Sequence, residues 1–170
     1  RTLATLRIRT NMKNIVLLTS AVYTNYGIYK PAERIQQTLE TTTINASAAG
    51  ATVNFDVLTS PVLYYTANCS SNITLNFRGS STRTLDSVMS TGQSMSVVLV
   101  NTQLSANTYY PTAQQVDGFG RTAYWQGGST PTTGNAASLD VYGYTIIKTA
   151  SNTFTILASQ KLNLRRRNNA

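Results

Sequence analysis

Leu139-Asp-Val-Tyr-Gly-Tyr-Thr-Ile-Ile-Lys-Thr149, the turn Ala150-Ser-Asn152 and Thr153-Phe-Thr-Ile-Leu157 decide how this chain reads. β-Branched and aromatic residues fill both runs, and a short Ser/Asn turn between two such runs is hairpin chemistry. Working back from this hairpin, the texture repeats. Ser94-Met-Ser-Val-Val-Leu-Val100, Ile73-Thr-Leu-Asn-Phe77 and Val62-Leu-Tyr-Tyr-Thr66 read as strands. Ala51 to Leu58 alternates with period 2, placing Val53, Phe55 and Val57 on one face. Thr41 to Asn45 begins the series, and Thr108 to Val116 and Thr122 to Gln126 flank an Asp117-Gly-Phe-Gly120 turn. One interruption is helical: Leu85, Val88 and Met89 have helical spacing, and Thr84 stands ready as their cap. About nine short β segments at spacings of roughly 10–15 residues predict an antiparallel β-sandwich, jelly-roll-like, with one short helix.

The first 42 residues read differently. Asn14-Ile-Val-Leu-Leu-Thr-Ser-Ala-Val22 is the continuous apolar run of a strand buried on both faces. A Tyr/Gly loop follows, and Pro31 opens a helical pattern that runs to Glu40, with Ile35 and Leu39 one turn apart. This is an N-terminal strand-loop-helix segment, the opening of a parallel α/β unit with no further units to complete it. The expected organisation is therefore this segment over 1–42, a β-sandwich domain over 43–160 and a basic tail over 161–170.

Charge divides along the same lines. The 170 residues carry a net +8 from 14 Lys+Arg against 6 Asp+Glu. Residues 1–42 contribute +4, residues 161–170 another +4, and Arg78, Arg83, Arg121 and Lys148 balance Asp56, Asp86, Asp117 and Asp140 in the body. Charged residues make up only 12% of the chain, while 27 Thr, 16 Ser and 15 Asn supply its polarity. A surface of hydroxyls and amides follows.

The sequence has no His and one Cys, which excludes His-based triads, His-ligated metals, cysteine clusters and internal disulfides. The four body carboxylates sit in or beside turns, strand ends or the short helix, where Asp stabilises local backbone, and no spacing pairs them for acid/base work. Cys69 has no cation nearby in sequence to activate it. Gly118, Gly120, Gly127 and Gly128 serve turns, since no strand-to-helix context or Lys-Ser/Thr accompanies them. The longest apolar run, Ile15 to Leu18, is far short of a membrane helix, and no leader-like apolar stretch follows the basic start. The expectations are no enzyme, no cofactor, no metal and no membrane insertion.

Two groups of residues are candidates for binding. Trp125 with Tyr124, Tyr109 and Tyr110 would stack on sugar rings wherever they point outward, although the same residues equally serve core and subunit packing. Arg165, Arg166 and Arg167 would contact an anion, although three basic residues at a chain end are more commonly a solvated tail.

A family resemblance rests on Asn54-Phe-Asp-Val-Leu58, Val62 to Thr66, Ile73-Thr-Leu-Asn-Phe-Arg-Gly79, Gly92-Gln-Ser94, Trp125-Gln-Gly-Gly-Ser-Thr-Pro-Thr-Thr-Gly-Asn135, Tyr144 to Thr149 and Leu157-Ala-Ser-Gln160. Over about residues 41–160 the chain resembles a β-rich domain of virion structural proteins, tail-fibre or baseplate-associated, from tailed phages of marine cyanobacteria. The resemblance is most specific at the Trp-Gln-Gly-Gly loop and the strand after it. It implies a structural or host-contact role in the virion, homo-oligomerisation and no cofactor, and it supplies no catalytic residue. Residues 1–42 depart from it and look more like the start of an unrelated phage-encoded α/β protein, as a chimeric or truncated reading frame or a recombined fibre gene would give.

The reading that follows is a phage structural protein, acting by assembly with itself (a trimer in a fibre), with other virion proteins and with the host surface. The first alternative is a carbohydrate-binding module for host surface glycans. The second is a nucleic-acid-binding protein using its basic termini, disfavoured because the body carries no net charge.

Overall fold

The computed structural model describes residues 39–106 and 108–164. The strand-loop-helix expected over 1–42 lies outside the described residues except for its last few; Leu39 and Glu40, expected to end the helix, are exposed and not helical. Ten strands follow: β1 (Thr42–Asn45), β2 (Thr52–Asp56), β3 (Val62–Asn68), β4 (Ile73–Arg78), β5 (Ser94–Thr102), β6 (Pro111–Val116), β7 (Phe119–Arg121), β8 (Ala123–Trp125), β9 (Leu139–Ala150) and β10 (Thr153–Leu164). A one-turn helix, α1 (Leu85–Val88), separates β4 from β5, and a 3-10 turn over Gln126–Gly128 follows β8. The described residues are mainly β with one short α-helix, as the sequence predicts. No helix among them is long and apolar enough to cross a membrane.

The strands form two sheets, one of six strands in the order β1-β3-β5-β9-β10-β8 and one of four in the order β2-β4-β6-β7. From β1 to β6 the chain visits the two sheets by turns, so each sheet collects alternate strands running the same way. β1–β3, β3–β5, β2–β4 and β4–β6 are all parallel, as is β8–β10; β5–β9, β9–β10 and β6–β7 are antiparallel. The sheets are therefore mixed, which corrects the expectation of an antiparallel sandwich. A parallel pair needs a long connection, commonly a helix. Here a strand of the opposite sheet serves as that connection, so spacings that suggested hairpins carry crossovers instead.

Alternation in the sequence becomes the core. Val53, Phe55, Leu75 and Phe77 of one sheet face Leu99, Tyr142, Tyr144 and Ile156 of the other, all essentially excluded from solvent. Phe77 meets Tyr144 edge-on across the sheets at a centroid separation of 5.1 Å, a favourable aromatic geometry. Burial pushes the Tyr144 hydroxyl far above the ordinary tyrosine range, as it does for Tyr142, where nearby Asp140 adds to the effect.

The expected turns carry the hairpins. Asp117 and Gly118, both at positive φ, turn β6 into β7, the two-residue geometry that matches strand twist. Ser151-Asn152, with Asn152 at positive φ, turns β9 into β10. Thr84 caps α1 by accepting from the Ser87 N–H at 3.1 Å. β10 runs four residues past the expected domain boundary at 160, because β9 offers it a partner as far back as Leu139; Lys161 lies opposite Val141 and Leu164 opposite Leu139.

Candidate functional site

The four body carboxylates come first, since they would carry any acid/base chemistry. Asp56 pairs with Arg78, its cross-strand neighbour, and that hydrogen bond raises the guanidinium pKa. Asp86 contacts the buried Lys148 ammonium at 2.7 Å and accepts from the Asn152 N–H at 2.6 Å; the lysine first and the amide second hold its carboxyl below the usual carboxylate range. Lys148 also donates to the carbonyls of Asp86 and Met89, which ties α1 and the residue after it to β9. Asp117 accepts from the Leu85 and Asp86 N–H groups, capping α1 from more than thirty residues away in sequence. Asp140 is fully buried, one oxygen accepting from the Asn135 side-chain amide and the other from the Asn135 N–H and the Gln103 amide, each at 3.0 Å.

Each carboxylate thus holds backbone or strands in place. The Asp140 cluster is the tightest: at Gly134 an added Cβ would stand 2.6 Å from the Tyr109 carbonyl and 2.8 Å from Asp140, so the long polar loop reaches its anchor only through glycine. Cys69 is buried, its Sγ 3.3 Å from the Ser71 carbonyl, and desolvation raises its pKa, the opposite of an activated thiol. Among the described residues no cluster of His, Cys, Asp and Glu has the make-up of a metal site.

The outer face of the six-stranded sheet offers more. Cross-strand register lines up Ile44, Tyr64, Val100 and Val141 in one row over β1, β3, β5 and β9. Beside it run Val62, Val98, Gly143 and Ser159, and next to those Ser96, Thr145, Leu157 and Tyr124. One half of this face is an apolar band. The other half is a shallow hollow of about 540 Å³ over β5, β9, β10 and β8.

Outward side chains of the last two rows, Val62 excepted, line the hollow, and Gly143, having no side chain, lies among them. Ser96 and Thr145 share a hydroxyl–hydroxyl contact of 3.1 Å. Tyr124 is 70% exposed, and Leu157 beside it is also exposed. A second hollow of about 320 Å³, bounded by Ser129, Pro131 and Gln160, adjoins the first, with Trp125 and Gln126 lining both. The Trp125 indole packs partly into the core, edge-on to Tyr144 at 6.0 Å.

Of the predicted sugar-contacting residues, the structure brings Tyr124 and Trp125 together at this hollow. Tyr109 and Tyr110 do not line it. They precede β6, partly buried, with the Tyr109 backbone held at both N–H and C=O by the Gln103 side chain and the Tyr110 N–H donating to Asn72. Arg165, Arg166 and Arg167 lie outside the described residues. Sequence reasoning missed Gly143, Leu157 and the Ser96/Thr145 pair. The signal for Gly143 was a glycine inside a strong strand, between Tyr142 and Tyr144, where glycine marks a gap or a close approach. The rest depended on register, which alternation alone leaves open. No protein-family model, curated protein or solved structure matches the chain.

Proposed function

We propose that this chain is a virion structural protein, tail-fibre or baseplate-associated, that acts by assembling with sister subunits and touching the host surface. The phage assignment rests on the sequence resemblance over about residues 41–160. The observation that carries the mode of action is the apolar band on the six-stranded sheet, Ile44-Tyr64-Val100-Val141 with Val62 and Val98 alongside. An outward β face that stays apolar across four strands buries well against a copy of itself or a neighbouring subunit. The end strands favour contact through the face over contact through the edges: β1 has four residues, β2 five, and β7 and β8 three each, too short to template long ladders.

The four body carboxylates support a non-catalytic role, since each is engaged in holding the fold. The nucleic-acid alternative draws little from the body, where Arg78 and Lys148 are held in ion pairs and Arg121 donates to backbone carbonyls.

Light scattering on the purified chain tests the reading. A trimer or larger symmetric assembly that persists on dilution is the expected result. A monomer at all concentrations overturns assembly through this face.

A further inference from the structure

We infer that the hollow floored by Gly143, together with the smaller one it meets at Trp125 and Gln126, is a binding site for a neutral oligosaccharide. The inference deepens the host-contact half of the proposed function and rests on that reading. Four observations carry it.

The first is the electrostatic character of the site. No Asp, Glu, Lys or Arg lines either hollow, on a chain whose net charge is +8. A phosphate, nucleic acid or acidic peptide would find no charged partner there, so the ligand that fits is uncharged. The second is the hydrogen-bonding set. Ser96, Thr145 and Ser159 present hydroxyls from three adjacent strands, and Gln126 adds an amide. Hydroxyls and amides both donate and accept, which matches the mixed donor and acceptor capacity of sugar hydroxyls.

The third is the aromatic wall. Tyr124 is 70% exposed and stands in the same cross-strand row as Leu157. An aromatic face left open at the rim of a polar hollow suits the apolar C–H face of a pyranose ring, and the phenol keeps its hydroxyl in water. The fourth is shape. A side chain at Gly143 would project into the floor, with a Cβ already 3.2 Å from the Ser159 Oγ. Without it, the floor of the hollow of about 540 Å³ stays open from Ser96 across to Tyr124, an extent that suits a chain of sugar units better than a single ring.

The test is titration calorimetry of the full chain with maltohexaose, cellohexaose, mannohexaose and β-1,4-galactohexaose, beside a charged comparator, heparin. The expected result is binding to at least one neutral hexasaccharide that is unchanged by salt. Tyr124→Ala should weaken it about tenfold or more, equivalent to ~1.4 kcal/mol. Because Tyr124 is exposed, this variant should keep the wild-type melting temperature. Thr145→Val, near-isosteric and lacking the hydroxyl, should weaken the same binding less.

Absence of binding to all four neutral sugars overturns the inference, as does binding that Tyr124→Ala leaves intact. Binding of heparin alone, abolished by salt, also overturns it and assigns recognition to the basic ends. Light scattering on the same samples separates the two proposals. A monomer that binds sugar overturns assembly and leaves the sugar site standing, whereas an assembly that binds none overturns the sugar site alone.

Discussion

The two outer faces of the sandwich are built from the same alternating strands and carry opposite chemistry. On the four-stranded sheet, register sets Thr52 beside Thr74, Asn54 beside Asn76 and Gln115, and Asp56 beside Arg78. Several of these side chains are bonded within the face: Asn76 donates to Asn54 at 2.9 Å and accepts from the Gly118 N–H at 2.8 Å, and Arg78 pairs with Asp56. On the six-stranded sheet the outward positions hold Ile44, Tyr64, Val62, Val98, Val100 and Val141. The polar face ties its Asn76 and Arg78 side chains into bonds of its own, and it presents no apolar band to bury. The apolar band has no such bonds, and burial against another surface is the gain open to it. The difference supports the proposal that the six-stranded face is the one that meets partners.

The largest expected effect comes from removing the core on which both faces depend. Phe77→Ala should destabilise the domain by about 4 kcal/mol, because it empties the aromatic contact that joins the two sheets; urea unfolding measures it, and a loss under ~1 kcal/mol would mean the sheets are held together elsewhere. The comparison itself is broken most directly by charge. Val100→Asp on the apolar face should weaken self-association about tenfold or more, ~1.4 kcal/mol, whereas Thr74→Asp on the polar face should leave it unchanged. Equal effects of the two variants in sedimentation equilibrium would erase the distinction between the faces. Asn76→Ala sharpens the other side: losing its bonds to Asn54 and Gly118 should lower stability by about 1 kcal/mol with no change in assembly.

The smallest effect is a pH dependence at Asp86. Its carboxyl is held below the ordinary value by Lys148 and the Asn152 amide, so the folded state binds its proton less readily than the unfolded chain. That contribution is complete above the unfolded aspartate pKa of about 3.9 and is lost as pH falls through the lower folded value. The melting temperature should therefore drop more steeply below that pH in the wild-type protein than in Asp86→Asn. Parallel curves for the two would remove Asp86 from the acid response.

Much of the local structure was legible in the chain. Val53, Phe55 and Val57 alternate in the sequence and are buried in the structure; Thr84 was readable as a cap and is one; the Asp117-Gly118 and Ser151-Asn152 turns sit where their chemistry requires. Pairing was not legible. A period of 2 marks which residues share a face but does not say which strand lies alongside, so β1, β3 and β5 looked like members of hairpins and are parallel neighbours. The site was legible to the same degree. Tyr124 and Trp125 stood out as aromatics, whereas Gly143, Leu157 and Ser96 become a lining only when four strands are aligned.

The sequence by itself determined that the body is a β structure with one short helix, that its polarity comes from amides and hydroxyls, and that it is electrically balanced. Those properties are local or compositional, set by each residue and its near neighbours. Only the tertiary structure decided that alternate strands go to different sheets, that Asp117 caps a helix distant in sequence, and that one outer face carries an apolar band beside a polar hollow. These depend on which distant residues become neighbours, and that choice is made by packing two sheets around one core.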